Sequence, residues 1–465
     1  MCMRHCAARR RCLPALRPWP RPKRHAERKL GSAVFKLVHD PIRGFSRRGK
    51  SAVATEMAIS NTRRWGIVWL LFVASLINYL DRATISVALP LISASLKLAV
   101  ASKGLLLSAF FFSYALMQVP VGWCVDRYNL RWIYSVLFAL WSFACGLTGL
   151  AGSLGVLIAF RVLLGIGESI YLPGGTKIVS ILFEPRERGL PCGIFDSGTR
   201  AGLFLGAPVV AWLIVLFGWR KMFFLVGFTA LVWLIPWWMV FPSRLEERRQ
   251  GPAPPRPSRA LRDVFAHLRS RDLIGICLGF FCFDYYWYLL VTWLPDYLVT
   301  VRHLTILKAG LYAALPFFVW GICEPIGGWI ADRLIRRGWD ESRSRKALIT
   351  VAFLSGLLLI PAARAQNAHS AIILIAGASL VGLATGNLFG VLQSCAPPEE
   401  VGVWTGFENF AGNVGGIIAP SATGLLIART GSYLPGFALA ALVLLTGLLA
   451  YWFVVGELTA KHVSS

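Results

Sequence analysis

Apolar stretches of about 20 residues recur along the chain, and the connections between them are short and rich in Gly, Pro or Arg. A run of that length is what a helix needs to cross hydrocarbon. The pattern predicts twelve spans. Spans 1 to 6 are expected at 65–89, 103–124, 132–152, 154–174, 190–217 and 222–241. Spans 7 to 12 are expected at 272–299, 309–331, 346–364, 370–394, 401–428 and 433–456. Segment 242–271, with "EERRQGPAPPRPSRALR", is Pro- and Arg-rich and cannot build a core, so it divides two six-span halves, 65–241 and 272–456. The first 64 residues show no apolar period and read as a basic, disordered extension. The expected start is Met57, from which "MAISNTRRWGIVWLLF" leads into the first apolar run. Residues 457–465 form a short tail.

Composition agrees with an all-α membrane protein. Charged residues make up 15% of the chain, against about a quarter in soluble domains. The net charge of +25 would suggest nucleic acid, but residues 1–64 hold 17 Lys and Arg with three acids and so carry +14 of it. No nucleic-acid partner is expected; the lipid bilayer is. The ten Cys are scattered, mostly in spans where Cys acts as a small apolar residue, and predict neither a disulfide framework nor a metal site.

Cations in the loops set the orientation. Arg127, Arg131, Arg186 and Arg188 fall on one side with the linker and the Arg333–Lys346 cluster, so both termini should be cytoplasmic, as in a multi-pass protein of the cell (inner) membrane. The halves also repeat. "GWCVDR" at 122–127 returns as "GWIADR" at 328–333, an offset of 206 that also sets Tyr79 on Tyr285; "FDSG" at 195–198 and "FENF" at 407–410 correspond at 212. Transporters built from repeated halves place their site between them.

Charges inside the apolar runs are the candidate chemistry. "NYLDRATISVALP" puts Asp81 and Arg82 in span 1, at roughly 2.5–3.5 kcal/mol for each charge near a helix centre. Span 4 carries Arg161 and Glu168, seven residues apart and so on one helix face. Arg82 and Arg161 offer planar forks matched to a carboxylate. Asp81 and Glu168, beside them, form an acid pair able to exchange protons. The bland reading is a structural ion-pair cluster. Tyr79, Tyr285, Thr199, Asn409 and Asn413 could face the same site or serve helix packing, Asn409 and Asn413 being one turn apart. Asp196 and Glu408 are expected near the cytoplasmic helix ends as partners of Arg127 and Arg333, and no role is assigned to Asp284 or Glu324.

With these residues in view, the chain resembles the major facilitator superfamily. "GWCVDRYNLRW" is similar to its loop signature Gly-x-x-x-Asp-Arg-x-Gly-Arg-Arg, through Gly122, Asp126, Arg127 and Arg131, with Asn129 where Gly is usual. Asp126 can sit against the positive end of a helix from the other half, latching one conformation; Asp332 would do the same on the symmetric side, and Arg333 is expected to belong with it to the gate. "NYLDRATISVALP", "RVLLGIGESIYLP" and "FDSGTRAG" resemble the anion–cation symporter family, whose bacterial members carry hexuronates, hexonates, glucarate and aromatic carboxylates, and whose relatives include sialin and the vesicular glutamate transporters.

The resemblance implies twelve helices in two pseudo-symmetric six-helix bundles and proton-coupled uptake of an organic carboxylate, foremost a sugar acid, by a monomer. It implies Arg82 and Arg161 as anion contacts, Asp81 and Glu168 as proton sites, and Tyr114 as a substrate-lining residue. No cofactor is expected; a proton gradient drives the cycle. The alternatives are an uncoupled facilitator, an exporter, or a carrier of aromatic carboxylates. An enzyme is excluded by the lack of His-Glu-x-x-His, Gly-x-Ser-x-Gly or a phosphate-cradling Gly loop between strand and helix.

Overall fold

The structure, a computed structural model, describes residues 59–98, 100–242 and 264–458. The readings of 1–58, of most of the linker and of the tail's last residues fall outside the described residues. The described residues from Asn61 onward fall in one contact unit.

Eleven described helices are long and apolar enough to cross a membrane. One of them, Gly189–Val240, is 52 residues long and holds two spans. The sequence suggests a loop at 218–221 between spans 5 and 6. Instead the helix runs on through a single non-helical residue, Gly218, at φ 78°. An L side chain rarely adopts that conformation, so one glycine makes the turn. Twelve spans result: Asn61–Leu96, Leu105–Arg127, Leu130–Leu150, Leu154–Leu182, the two joined at Gly218, then Arg271–Thr300, Leu311–Arg336, Glu341–Arg364, Ala368–Cys395, Val401–Thr430 and Leu434–Val454.

Large apolar side chains point outward, such as Val215, Met239 and Ile373. That is inverted relative to a water-soluble surface and is what lipid contact requires. Inside, small residues let helices approach closely. Span 4 shows this at Gly165 and Gly167, where an added Cβ would lie 2.2 Å from Ser113 Oγ and 2.7 Å from Trp141.

The internal repeat is visible as matched defects. Span 4 is interrupted at Ser169–Ile170, between helices Leu154–Glu168 and Tyr171–Leu182. Pro173 lacks the N–H that would bond the Ser169 carbonyl, which explains the break. Span 10 carries a 3₁₀ stretch, Ser379–Ala384, between Ala368–Ala378 and Thr385–Cys395. This is the position that the 212-residue offset assigns to the break in span 4.

At the end of the bundle that carries the 2–3 and 8–9 loops, the halves meet backbone to backbone. A Cβ on Gly122 would lie 2.3 Å from the Gly402 carbonyl oxygen, and one on Gly328 would lie 2.1 Å from that of Gly189. Neither contact tolerates a methyl group. Gly328→Ala is therefore expected to cost about 1–3 kcal/mol of this closed contact. Cys192, fully buried one turn inside span 5, is the native reporter: its alkylation, followed by mass spectrometry, should accelerate about tenfold or more. An unchanged rate would show that the two faces re-seat.

Candidate functional site

Between the halves lies a narrow, partly open cavity lined by residues of both. The N-terminal half contributes Tyr79 and Arg82 from span 1, Tyr114 from span 2, Tyr171 and Leu172 from span 4, and Asp196 and Arg200 from span 5. The C-terminal half contributes Phe280, Phe283, Asp284, Trp287 and Tyr288 from span 7, Phe389 from span 10 and Asn409 from span 11.

Two charged groups border this space. In the first, Arg82 Nε donates to Glu168 Oε2 at 2.9 Å. Its guanidinium lies 4.7 Å from the Tyr79 ring, 4.6 Å from Tyr114 and 5.0 Å from Phe110. Aromatic faces attract such a cation in a dry site. Arg161 approaches Phe110 at 4.6 Å, so that ring contacts both arginines. Glu168 is fully buried, and its Oε1 has no hydrogen-bond partner among the described residues. Asp81, although next to Arg82 in sequence, turns away: its Oδ1 accepts from Cys145 Sγ at 3.6 Å and its Oδ2 is buried without a partner.

The second group crosses the halves. Arg200 Nε donates to Glu324 Oε1 at 3.0 Å, and Asp196 Oδ2 lies 3.6 Å from the same guanidinium. Arg200 also lies 3.6 Å from the Trp287 ring. Tyr171 donates its hydroxyl to Asp196, and Thr385 donates to Glu324 at 3.3 Å. A further link between halves runs from Asn409 Nδ2 to Tyr114 Oη at 3.0 Å.

Several sequence expectations change here. Tyr285 does not line the cavity; its hydroxyl is buried without a partner. Helical spacing explains this, because 280, 283, 284, 287 and 288 share one face of span 7 and 285 falls off it. Thr199 also lies off the cavity and bonds the Asp196 carbonyl at 2.7 Å, while its neighbours one turn apart, Asp196 and Arg200, reach the wall. Asn413 donates to the Asn409 carbonyl at 2.7 Å and serves the helix rather than the space. Arg161 and Asp81 stand behind the wall.

Asp196 is at the cavity and not at a helix end near Arg127 or Arg333. Glu408 is fully buried, and among the described residues neither carboxylate oxygen has a hydrogen-bond partner. Arg127 and Arg333 instead lie 4.7 and 5.1 Å from the rings of Trp123 and Trp329. Arg200 was not singled out from the sequence; its place one turn after Asp196 on the small-residue face of span 5 was the available signal.

Below the cavity, at the loop end, Asp126 accepts from the backbone N–H groups of Gly402 and Val403, at 3.0 and 2.8 Å. Asp332 accepts from those of Gly189 and Leu190, at 3.1 and 2.8 Å. Each carboxylate thus caps the first turn of a helix in the opposite half, where unpaired N–H groups and the helix dipole favour an anion. Buried cations support both: Lys177 lies 2.6 Å from Asp126, and Arg345 lies 3.3 Å from Asp332 while bonding the Pro185 carbonyl across the halves at 2.7 Å. Arg131 packs 4.1 Å from the Trp238 ring and bonds that residue's carbonyl.

A twelve-span protein with repeated halves around one central, charged cavity defines a membrane transporter. The Major Facilitator Superfamily family model matches residues 71–420, and the chain belongs to that superfamily. It is 31% identical over 414 residues to an uncharacterized transporter, YybO, of Bacillus subtilis (strain 168), covering 85% of this chain and 94% of the relative. It is 30% identical over 383 residues to the hexuronate transporter of the same organism, covering 80% and 90%. It is 30% identical over 427 residues to the probable galactarate/D-glucarate transporter GudP of Escherichia coli (strain K12), covering 86% and 94%.

Among solved structures, the transporter FucP in its outward conformation is similar at a TM-score of 0.65, with 14% identity and coverage of 84% of this chain and 99% of that one. A bacterial homologue of the human lysosomal transporter Spinster, inward-facing, gives 0.54 with 19% identity, covering 85% and 98%. These likenesses concern the fold.

The Arg200 group makes a stability prediction. Arg200→Ala would leave Glu324 and Asp196 buried without their counter-charge, a loss of about 3–5 kcal/mol. Thermal unfolding in detergent should show it, and adding Glu324→Gln to the Arg200→Ala variant should recover part of the loss. Purely additive effects of the two substitutions would mean that the pair is not coupled.

Proposed function

We propose that this protein takes up an organic carboxylate, foremost a sugar acid, together with protons, by alternating access. The carrying observation is Arg82: a guanidinium at the cavity wall whose hydrogen-bonded carboxylate partner, Glu168, is wholly buried. An incoming carboxylate and Glu168 compete for the same fork. A proton on Glu168 releases Arg82 to the substrate, and its departure restores the pair and expels the substrate. Loading of proton and anion is thus linked through one guanidinium, with no cofactor. The names of the hexuronate and galactarate/D-glucarate relatives support a sugar acid.

In this reading Tyr79, Tyr114 and Asn409 orient the anion beside Arg82. Arg161 shares its charge with the acids from behind Phe110, and Asp81 is the second proton site. The loop end is the cytoplasmic side, as the cation-rich loops indicate, with both termini there and the chain a monomer in the inner membrane. Gly122, Asp126, Arg127, Arg131, Asp332 and Arg333 belong to the gate on that side. The helix-capping contacts of Asp126 and Asp332 would hold it shut while the cavity loads, and rocking of the halves would break them. Thr199, Asn413 and Tyr285 act through packing.

One observation favours a second reading. Eight of the fourteen lining residues are aromatic, which suits an aromatic carboxylate as well as the apolar face of a sugar ring.

The test uses the full chain in proteoliposomes under an inward proton gradient, with hexuronates, hexonates, aldarates and aromatic acids offered in turn. Accumulation of a sugar acid with proton uptake is the expected result. Glu168→Gln should abolish gradient-driven accumulation while counterflow exchange persists; undiminished accumulation would remove Glu168 from coupling. Arg82→Lys should weaken substrate binding about tenfold or more, since a point charge cannot replace the fork. Transport without proton movement would favour the facilitator, and preference for aromatic acids the second reading.

A further inference from the structure

We infer that Asp284 selects the substrate's hydroxyl groups: it accepts a vicinal diol of the substrate while Arg82, in the other half, holds the carboxylate. This deepens the sugar-acid reading and rests on it.

Three observations carry the assignment. First, Asp284 lines the same cavity as Arg82 but comes from span 7, so the two face the space from opposite halves. It is 9% exposed, and among the described residues its carboxylate has no hydrogen bond and no ion pair. Asp196, the other acid lining the cavity, is engaged by Arg200, and of the acids behind the wall Glu168 is engaged by Arg82 and Glu324 by Arg200. An ionised carboxylate offers about four acceptor sites, and no donor among the described residues takes those of Asp284.

Second, the position is shaped for the carboxylate. A Cβ at residue 412 of span 11 would lie 2.3 Å from Asp284 Oδ2, so Gly412 leaves the notch in which that oxygen rests.

Third, the charge balance says what it can bind. The spans around the cavity carry six buried carboxyl groups (Asp81, Glu168, Asp196, Asp284, Glu324 and Glu408) against three arginines (Arg82, Arg161 and Arg200). Asp284 therefore adds nothing to the capture of a simple anion. A ligand without donors would leave it unpaired in a cavity emptied of water, which is costly. A polyhydroxylated acid supplies adjacent O–H donors for the carboxylate, and Phe280, Phe283 and Trp287, which line the wall beside Asp284, give its C–H surface apolar contact. A site built to hydrogen-bond hydroxyls rejects the analogue that lacks them.

The experiment measures binding of D-glucuronate and of cyclohexanecarboxylate, a ring carboxylate without hydroxyls, to the detergent-solubilised full chain by titration calorimetry. The native protein should prefer glucuronate by about 100-fold or more. Asp284→Ala should lower that ratio at least about tenfold through glucuronate alone, with cyclohexanecarboxylate binding kept, which also shows that the variant is folded. Asp284→Asn, which keeps the size, and Gly412→Ala, which displaces the carboxylate without deleting it, should lower the ratio in the same direction. An unchanged ratio in the variants of a protein that does prefer glucuronate overturns this inference and leaves the functional reading intact. Equal weakening of both ligands overturns it as well, since that is the mark of a structural role. If 2-amino-2-deoxygluconate binds tighter than gluconate and loses that advantage in Asp284→Ala, the group recognised is an ammonium, and the inference falls. If the native protein binds no carboxylate, the functional reading falls and takes this one with it.

Discussion

A charge inside a bilayer has to be paired, hydrated or given up, and the central architecture of this protein follows from that constraint. Arg82 is tolerable in span 1 because Glu168 in span 4 meets it and three aromatic rings surround it. Span 4 can bring Glu168 there because Gly165 and Gly167 let it press against spans 2 and 3, and because its helix breaks just beyond the carboxylate. The ion pair, the glycines and the break form one device. Removing any of them would leave a charge in hydrocarbon without its partner.

The same constraint accounts for the second group. Arg200 sits on the N-terminal half, but its strongest contact, Glu324, is on the C-terminal half. The protein therefore places a buried charge pair across the surface along which its halves meet, and not only within one of them. Desolvation offsets much of the attraction within such a pair, but losing one partner strands the other charge. The pair thus ties span 5 to span 8 across the closed contact.

The two carboxylates at the loop end work on a different principle. Asp126 and Asp332 bind backbone N–H groups at helix starts, where the anion's partner is the fixed field of a helix. These bonds depend on helix position, so they fix where the opposite half's helix starts sit. Glycine contacts at 122–402 and 189–328 bring the helix ends near enough for the caps to form.

The chain by itself determined the spans, their division into two halves and the intramembrane charges, because these are one-dimensional properties: run length, repetition at a fixed offset and the cost of a charge in an apolar window. That is why Arg82 and Glu168 stood out, and why the "GWCVDR" and "GWIADR" loops could be matched. Which way a side chain points depends on helix phase and on neighbours remote in sequence, so that was left to the fold. Asp81 and Arg82 are adjacent residues, yet one turns to Cys145 and the other to the cavity. The offset that set Tyr285 on Tyr79 lay just off the true face of span 7, which presents Asp284, Trp287 and Tyr288 instead. Arg200 and Glu324, 124 residues apart, had no shared signal in the chain and become partners only where spans 5 and 8 cross. Tertiary structure alone decided that pairing, because the low dielectric between packed helices gives a buried carboxylate no substitute for the guanidinium that folding brings to it.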